Sequence, residues 1–317
     1  MDVVALGELL IDFTCVGTDA DGYPTMAAHP GGAPANFLAA LAKFGVKTAL
    51  LGKVGSDAFG KILCETLRKA GIDTSGMIET DDVFTTLAFV TLDETGNREF
   101  SFSRKPGADT CVTFEELDLS MIDKAKVFHF GSLSLTDEPA RSATYRAVEY
   151  AKGRGKLITY DPNLRKPLWK DLDACREQML WGLSRADVVK ISDEEVEFLF
   201  GLGVEDGAAH ILEHYGVKLV FVTCGADGCY FKNAKAAGRV PALSDIAVKD
   251  TTGAGDIFGG SAVWKLLQCQ KAPQELEHGE LTEIVTFACT AAGLSTTLSG
   301  GISSVPEYEA VIERMHN

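Results

Sequence analysis

Asp256 lies in the run Asp250-Thr251-Thr252-Gly253-Ala254-Gly255-Asp256-Ile257-Phe258-Gly259-Gly260, just ahead of an apolar helical stretch at 261–267. Small residues before a helix leave backbone N–H groups uncovered, and the helix dipole adds partial positive charge there. Such a place can receive an anion and stabilise charge developing on a phosphoryl group. Asp256, just inside it, has the chemistry to accept a proton from an attacking hydroxyl. The same run also reads as a glycine-rich turn with Asp256 as the helix cap. A second cluster, Gly31-Gly32-Ala33-Pro34-Ala35-Asn36, opens a helical pattern over 35–44 with a glycine pair that lets a ligand come close to the backbone. Asn36 offers a donor and an acceptor, which suits a sugar's hydroxyls and equally a hydrogen bond at the helix start. Asp12, directly after the first apolar run, can accept two hydroxyl hydrogen bonds or cap a loop.

These side chains need a scaffold to bring them together. Apolar runs at 3–6, 48–54, 127–130, 157–160, 188–191 and 219–223 read as buried strands. Helical patterns fall between and beside them, at 35–44, 58–70, 138–152, 171–182, 193–200 and 207–214. The alternation predicts an α/β fold, a mainly parallel sheet sandwiched by helices, with ligands at the carboxyl ends of the strands. Two stretches break the pattern. The segment 13–30 is polar, rich in Gly and Asp, and too long for an ordinary loop. Residues 85–92 and 98–104 alternate apolar and polar around Asp93-Glu94-Thr95-Gly96-Asn97, the pattern of an antiparallel hairpin. A hairpin inserted in this way can serve as a lid over a site. The expected organisation is a single domain over 1–317, with lid segments near 13–30 and 85–112.

Composition narrows the function classes. With 46% hydrophobic residues and a mean hydropathy of +0.06, the 317-residue chain has the profile of a folded soluble protein. Asp plus Glu is 45 against 30 for Lys plus Arg, a net charge of −15 that repels nucleic acid and anionic membrane surfaces. The eight cysteines form no CxxC pair and read as reduced. The start of the chain is acidic rather than basic and apolar, and no uncharged run approaches the roughly 18 residues of a membrane span. A cytoplasmic protein with no nucleic-acid or membrane partner is expected.

Three familiar motifs are approached and missed. Gly55-Ser56-Asp57-Ala58-Phe59-Gly60-Lys61-Ile62 fits GxxxxGK, but Ile62 stands where a phosphate loop needs a Ser or Thr, and Asp57 would repel phosphate. A tight strand-to-helix turn is the better reading. In Gly253-Ala254-Gly255-Asp256-Ile257-Phe258-Gly259 the third glycine comes one place late for a dinucleotide fingerprint. His210 and His214 have the spacing of a zinc pair, but position 211 is Ile and no third ligand is evident.

Taken together, Gly31 to Gly60 resembles the N-terminal signature of the ribokinase-like (PfkB-type) carbohydrate kinases, and Asp250 to Gly260 resembles their C-terminal signature. The resemblance covers essentially the whole chain. It implies a Rossmann-like α/β domain with a small antiparallel β lid over sugar and ATP. By that resemblance Asp256 is the catalytic base, and Gly253, Ala254 and Gly255 form the anion hole. Lys190-Ile191-Ser192-Asp193-Glu194-Glu195 aligns with the family's NxxE segment, in which Glu195 organises a hydrated Mg²⁺; Ser192 replaces the family Asn. Lys190, Ser192, Thr223, Gly225, Gly228 and Ala288 are expected around the nucleotide. Asp250, Thr252 and Ser304 stand where relatives bind a potassium ion. A homodimer formed through the lid is expected.

The sugar is less strongly specified. The Ala33-Pro34 pair, the segment Arg98 to Asp109 and the segment Asp161 to Trp169 all resemble fructokinases. The match places Arg104 and Arg165 at the sugar, beside Gly31, Gly32, Asp12 and Asn36. Phosphorylation of D-fructose at the 6-hydroxyl is therefore expected, with 2-keto-3-deoxygluconate and ribose as alternative substrates and a non-catalytic sugar sensor as the alternative class. If the GxxxxGK match is only a turn, Lys61→Ala leaves ATP affinity unchanged by titration calorimetry. Loss of ATP binding would reinstate the phosphate loop.

Overall fold

The computed structural model describes residues 1–92 and 98–316, so the turn proposed at 93–97 lies outside the described residues. The chain opens with β1 (Val3–Leu6), β2 (Leu10–Thr18), β3 (Pro24–Gly31), α1 (Ala33–Lys43), β4 (Thr48–Gly55) and α2 (Ala58–Lys69). Four short strands follow: β5 (Ile72–Asp73), β6 (Met77–Thr80), β7 (Leu87–Leu92) and β8 (Arg98–Ser103). The middle runs α3 (Leu119–Lys124), β9 (Val127–Gly131), α4 (Ala140–Gly153), β10 (Leu157–Asp161), α5 (Leu172–Leu183), β11 (Val188–Ser192), α6 (Asp193–Phe200) and α7 (Val204–Tyr215). It ends with β12 (Leu219–Thr223), β13 (Cys229–Asn233), β14 (Ala237–Val240), α8 (Ala254–Gln268), α9 (His278–Ser295) and α10 (Tyr308–His316).

The main sheet has the order β14-β13-β12-β11-β10-β9-β1-β4-β5, with β6 on β4; β13 and β14 are antiparallel and the other pairings parallel. The chain steps from β1 to β4 on one side and later to β9 on the other. The order therefore reverses at β1, and a crevice opens at the carboxyl ends of the strands beside it. Period-two alternation sends Val4 and Leu6 into one core with Phe128, Phe130 and Tyr160, beneath α4 to α7. Val3 and Ala5 point the other way, into a core shared with α1, α2 and α8. This is the expected α/β architecture, buried on both faces.

Glycines set the distance between α1 and α8. A Cβ on Gly260 would stand 2.3 Å from the carbonyl oxygen of Phe37, so the α8 backbone rests directly on α1. Trp264 strengthens the contact by donating its indole N–H to the Phe44 carbonyl at 3.0 Å.

The segment 13–30, expected as part of a lid, forms most of a β2–β3 hairpin. The smaller sheet has the order β3-β2-β7-β8, with antiparallel hairpins joined through a parallel β2–β7 pairing. Phe13 holds it to the body, stacked on Phe89 with ring centroids at 5.4 Å and edge-on to Phe59 at 5.6 Å. The expected hairpin over 85–104 is present in its strands.

Gly260→Ala should destabilise the protein although alanine favours a helix by about 1 kcal/mol. A methyl against a backbone carbonyl costs about 1–3 kcal/mol or more, and denaturant melts of the two proteins measure the difference.

Candidate active site

The α8 amino terminus begins with Gly253 in the left-handed region (φ 77°), where a Cβ would fall 2.8 Å from the Gly301 Cα. Only glycine fits this turn without moving the neighbouring loop. Ala254 closes the turn by donating its N–H to the Thr251 carbonyl at 3.2 Å, and Gly255 and Asp256 follow in the first helical turn, all partly accessible. The geometry is that of an uncovered helix start with a carboxylate inside it.

Asp256 is held at both oxygens. Asn36, on α1, donates Nδ2–H to Oδ2 at 2.9 Å, and Asn163, in the loop after β10, donates Nδ2–H to Oδ1 at 3.2 Å. The close α1–α8 packing is what lets Asn36 reach a residue 220 positions away. Burial raises the Asp256 pKa above the ordinary aspartate value, against the lowering influence of the Asn36 bond and of the charges on Lys190 and Arg165. A base with a raised pKa is a stronger proton acceptor.

Lys190, the inward-facing residue of β11, points its ammonium at Asp161 (3.1 and 3.3 Å) and lies 3.0 Å from where a Gly255 Cβ would be. Burial works against its charge, but the carboxylates of Asp161, Glu195 and Asp256 outweigh that and lift its pKa. A fixed cation thus stands behind the first turn of α8. Ser192 and Glu195 form a capping box at the start of α6: Glu195 N–H donates to Ser192 Oγ at 3.2 Å, and Ser192 N–H to Glu195 Oε2 at 2.8 Å. A serine supplies this N-cap acceptor as well as an asparagine would. Glu195 Oε1 accepts from the Leu164 N–H at 2.6 Å and so ties α6 to the β10 loop.

On the side expected to hold the sugar, Asp12 in β2 lies within electrostatic reach of Arg165, Asp256 and Asp250, and burial pushes its pKa up to about 6. Gly31 and Gly32 are where close approach demands glycine. A Cβ on Gly31 would sit 2.2 Å from Asp12 Oδ2, and one on Gly32 (φ 124°) would sit 2.4 Å from the Glu8 carbonyl. Arg165 is half-buried beside Asp12 and Asp256 and donates to the Leu164 carbonyl at 3.1 Å. Arg104 departs from the expected sugar contact. Its guanidinium is 2% exposed and donates to Asp109 (2.8 and 2.7 Å), Thr136 Oγ1 (2.7 Å) and the Leu133 carbonyl (2.8 Å). Asp109 also accepts from Thr86 at 2.5 Å. Arg104 thereby clamps both stalks of the β7–β8 hairpin to the loop after β9.

The other expected residues lie in two places. Thr223 ends β12, with Oγ1 donating to the Ile191 carbonyl at 3.4 Å; Gly225 (φ 53°) and Gly228 (φ 90°) shape the turn that follows. Ala288 is fully buried, packed with Phe258, Ala262 and Cys229 beneath β12 and β13, and presents no surface to a nucleotide. Asp250 accepts from Thr252 N–H (3.0 Å) and Oγ1–H (2.7 Å) and from Gly300 N–H (3.1 Å), joining the loop before α8 to the one carrying Ser304. Buried Ser304 donates to the Gly301 carbonyl at 2.9 Å. Among the near-miss motifs, Asp57 caps α2 through Phe59 and Gly60 N–H, both at 2.9 Å, as a tight turn requires.

Three functional-site residues carry no role in the sequence reading: Asn163, Asp161 and Glu8. Asn163 and Asp161 follow or end a strand at its carboxyl edge, which is the signal that could have found them. Glu8 is buried, accepts from the Ala33 N–H at 2.9 Å and so fixes the start of α1 next to Gly32. Burial is the main influence that raises its pKa, to about 7 from the ordinary 4.5. The folded protein therefore binds this proton more tightly than the unfolded chain, and the resulting stability is complete below about pH 4.5 and lost as pH rises through about 7. Glu8→Gln keeps the acceptor and removes the titration. Its melting temperature should match the parent's near pH 4.5 and exceed it by a few degrees at pH 8; a lower value at pH 8 would mean that the charged carboxylate is needed.

Known proteins resemble this chain over nearly its whole length. The model of the pfkB family carbohydrate kinases matches residues 1–308. Fructokinase-1 of Zea mays is 41% identical over 315 residues, covering 98% of this chain and 96% of the maize protein. Among solved structures, the fructokinase of Xylella fastidiosa with bound ATP superposes with a TM-score of 0.91 at 30% identity, covering 99% of this chain and 98% of that one. A double mutant of the Vibrio cholerae O395 fructokinase, holding fructose, ADP and a potassium ion, gives 0.88 at 29% identity with the same coverage. With a carboxylate clamped at an uncovered helix start and the family match running from the first residue into α10, the chain belongs to the pfkB family of carbohydrate kinases.

Proposed function

We propose that this kinase transfers the γ-phosphoryl group of ATP to the 6-hydroxyl of D-fructose, giving fructose 6-phosphate and ADP, with Asp256 as the base. The observation that carries the reading is the placement of Asp256, oriented at both oxygens and set in the first turn of α8 with Lys190 behind it. Asp256 takes the proton of the attacking hydroxyl as its oxygen bonds to the γ-phosphorus. The bond from that phosphorus to the bridging oxygen breaks, and ADP leaves. The N–H groups at Gly253 to Gly255 and the Lys190 ammonium face the charge that develops on the transferred group.

The sugar contacts assigned to Asp12, Gly31, Gly32, Asn36 and Arg165 are supported by their grouping around Asp256. Asn36 bonds Asp256 directly, and Asp12 and Arg165 face it electrostatically, while Gly31 leaves the Asp12 carboxylate uncovered. A neutral sugar is favoured over a keto acid. Arg104 is spent on the hairpin clamp, and Arg165 is already faced by Asp12 and Asp256.

Mg²⁺ would enter with the ATP phosphates and neutralise their charge, which a protein of net charge −15 needs. This reading gives Glu195 a role in holding that ion through water. It assigns a potassium ion to Asp250, Thr252 and Ser304, supported by the Asp250 bonds to Thr252 and Gly300 that join the two loops carrying them. The same reading assigns the nucleotide to Lys190, Ser192, Thr223, Gly225 and Gly228. It also makes the β3-β2-β7-β8 sheet a lid inserted in one domain and a dimer surface, and places the enzyme in the cytoplasm, in keeping with eight free cysteines.

Coupled ADP release with Mg-ATP should show a kcat/KM preference for fructose over ribose, glucose and 2-keto-3-deoxygluconate. Asp256→Asn should lower kcat by about 10²–10⁴-fold with sugar and nucleotide binding kept. Preference for the keto acid would overturn the substrate, and a near-normal kcat in the variant would overturn the base.

A further inference from the structure

The second hydrogen bond on Asp256 comes from a residue whose backbone is under constraint. Asn163 adopts φ 50°, one of two non-glycine residues with positive φ among those described. Asparagine tolerates this region better than most side chains, but the conformation still has a cost and persists only where the surroundings hold it. Here they do. The next residue, Leu164, gives its N–H to Glu195 Oε1 at 2.6 Å, and Glu195 is itself locked in the α6 capping box through Ser192. The preceding Asp161 is tied to Lys190. The loop is thus pinned on both sides of Asn163, and the pinned amide points at the base.

Resting on the reading of Asp256 as base, we propose that Asn163 is a positioning residue for the phosphoryl transfer: with Asn36 it forms a pair of neutral donors that fixes the Asp256 carboxylate in its attacking rotamer. A single donor would leave the carboxylate free to turn about χ2, whereas donors on opposite oxygens, from α1 and from the β10 loop, remove that freedom. Two cations in the same positions would hold it as firmly but would bind its negative charge and weaken it as a proton acceptor. Amides orient the carboxylate with a smaller penalty. Because Leu164 answers to Glu195, the orientation of the base is coupled mechanically to the α6 terminus, the side assigned to the nucleotide.

Glycine at position 163 retains the left-handed backbone without strain and deletes the donor, so Asn163→Gly isolates the hydrogen bond. Asn163→Asp keeps the shape and replaces the donor with an acceptor; it also covers the case in which the glycine variant fails to fold. Both should lower kcat by about 10- to 100-fold, the size of a lost hydrogen bond to a charged group, while KM for sugar and for ATP stays within about threefold of the parent. Removing a donor to the charged form also moves the acid limb of the pH profile of kcat/KM upward. The charged groups facing Asp256 in that titration are Lys190 on β11, Asp161 at the end of β10, Glu195 on α6, Arg165 in the β10 loop and Asp12 on β2. Asp256→Asn is measured alongside. If it loses turnover while the Asn163 variants keep the parent's kcat and acid limb, the positioning role is wrong and the base stands. If Asp256→Asn keeps turnover, the base reading itself falls. A rise in both KM values with an unmoved acid limb would reduce Asn163 to a structural turn.

Discussion

Everything at this site depends on keeping one carboxylate partly buried, charged and pointed in a single direction. Desolvation makes Asp256 a better proton acceptor and a worse ion, and the protein answers with an amide donor at each oxygen. Those donors come from parts of the chain that only the tertiary fold unites: α1, the loop after β10, and α8 itself. On the proposed reading, the glycine-floored contact between α1 and α8 is therefore a catalytic dimension as much as a packing one. Widening it by the thickness of a methyl group would take Asn36 out of reach.

Charge is handled at a second level. A strongly acidic chain that receives a polyphosphate must concentrate what positive potential it has, and it does so by burying Lys190 among carboxylates that keep it protonated. Such a pair contributes little net stability, but losing one partner strands the other, at a cost of about 3–5 kcal/mol. Asp161 is thus required by Lys190 even though it touches no reacting group. The helix start adds backbone dipoles that need no counter-ion. Fixed dipoles and one held ammonium together replace the loose surface cations that the composition lacks.

Much of this was legible in the sequence, for identifiable reasons. The six apolar runs became strands at nearly the expected bounds because strands buried on both faces are simply apolar. The two glycine-rich runs announced themselves, since no other residue could occupy Gly32 or Gly253. Other features left no periodic trace. The helices α9 and α10 were not anticipated, and α9 is buried along most of its length, so it has no polar stripe to mark its face. The same lack of a stripe hid the inward orientation of Ala288. Arg104 pairs with Asp109 across an irregular turn, where spacing says nothing about which way a guanidinium points. The polar composition of 13–30 showed no strand pattern because its strands belong to a thin sheet with one face in water. Asn163 stood in a quoted segment, but its backbone conformation, which gives it its role, cannot be seen in a string of letters.

The separation of Asn36 from Asp256 also orders events in time. At synthesis rates of roughly 5 to 20 residues per second, α8 emerges about 10 to 45 s after α1. During that interval the amino-terminal third can already form the cradle of Glu8, Gly31, Gly32 and Ala33, since its contacts are local to that third. The central strand β1, by contrast, has β4 on one side and must wait for β9 on the other. A nascent chain therefore acquires the makings of the cradle proposed for the sugar first and the proposed base last. A ribosome that stalls before α8 releases a fragment with no means of spending ATP.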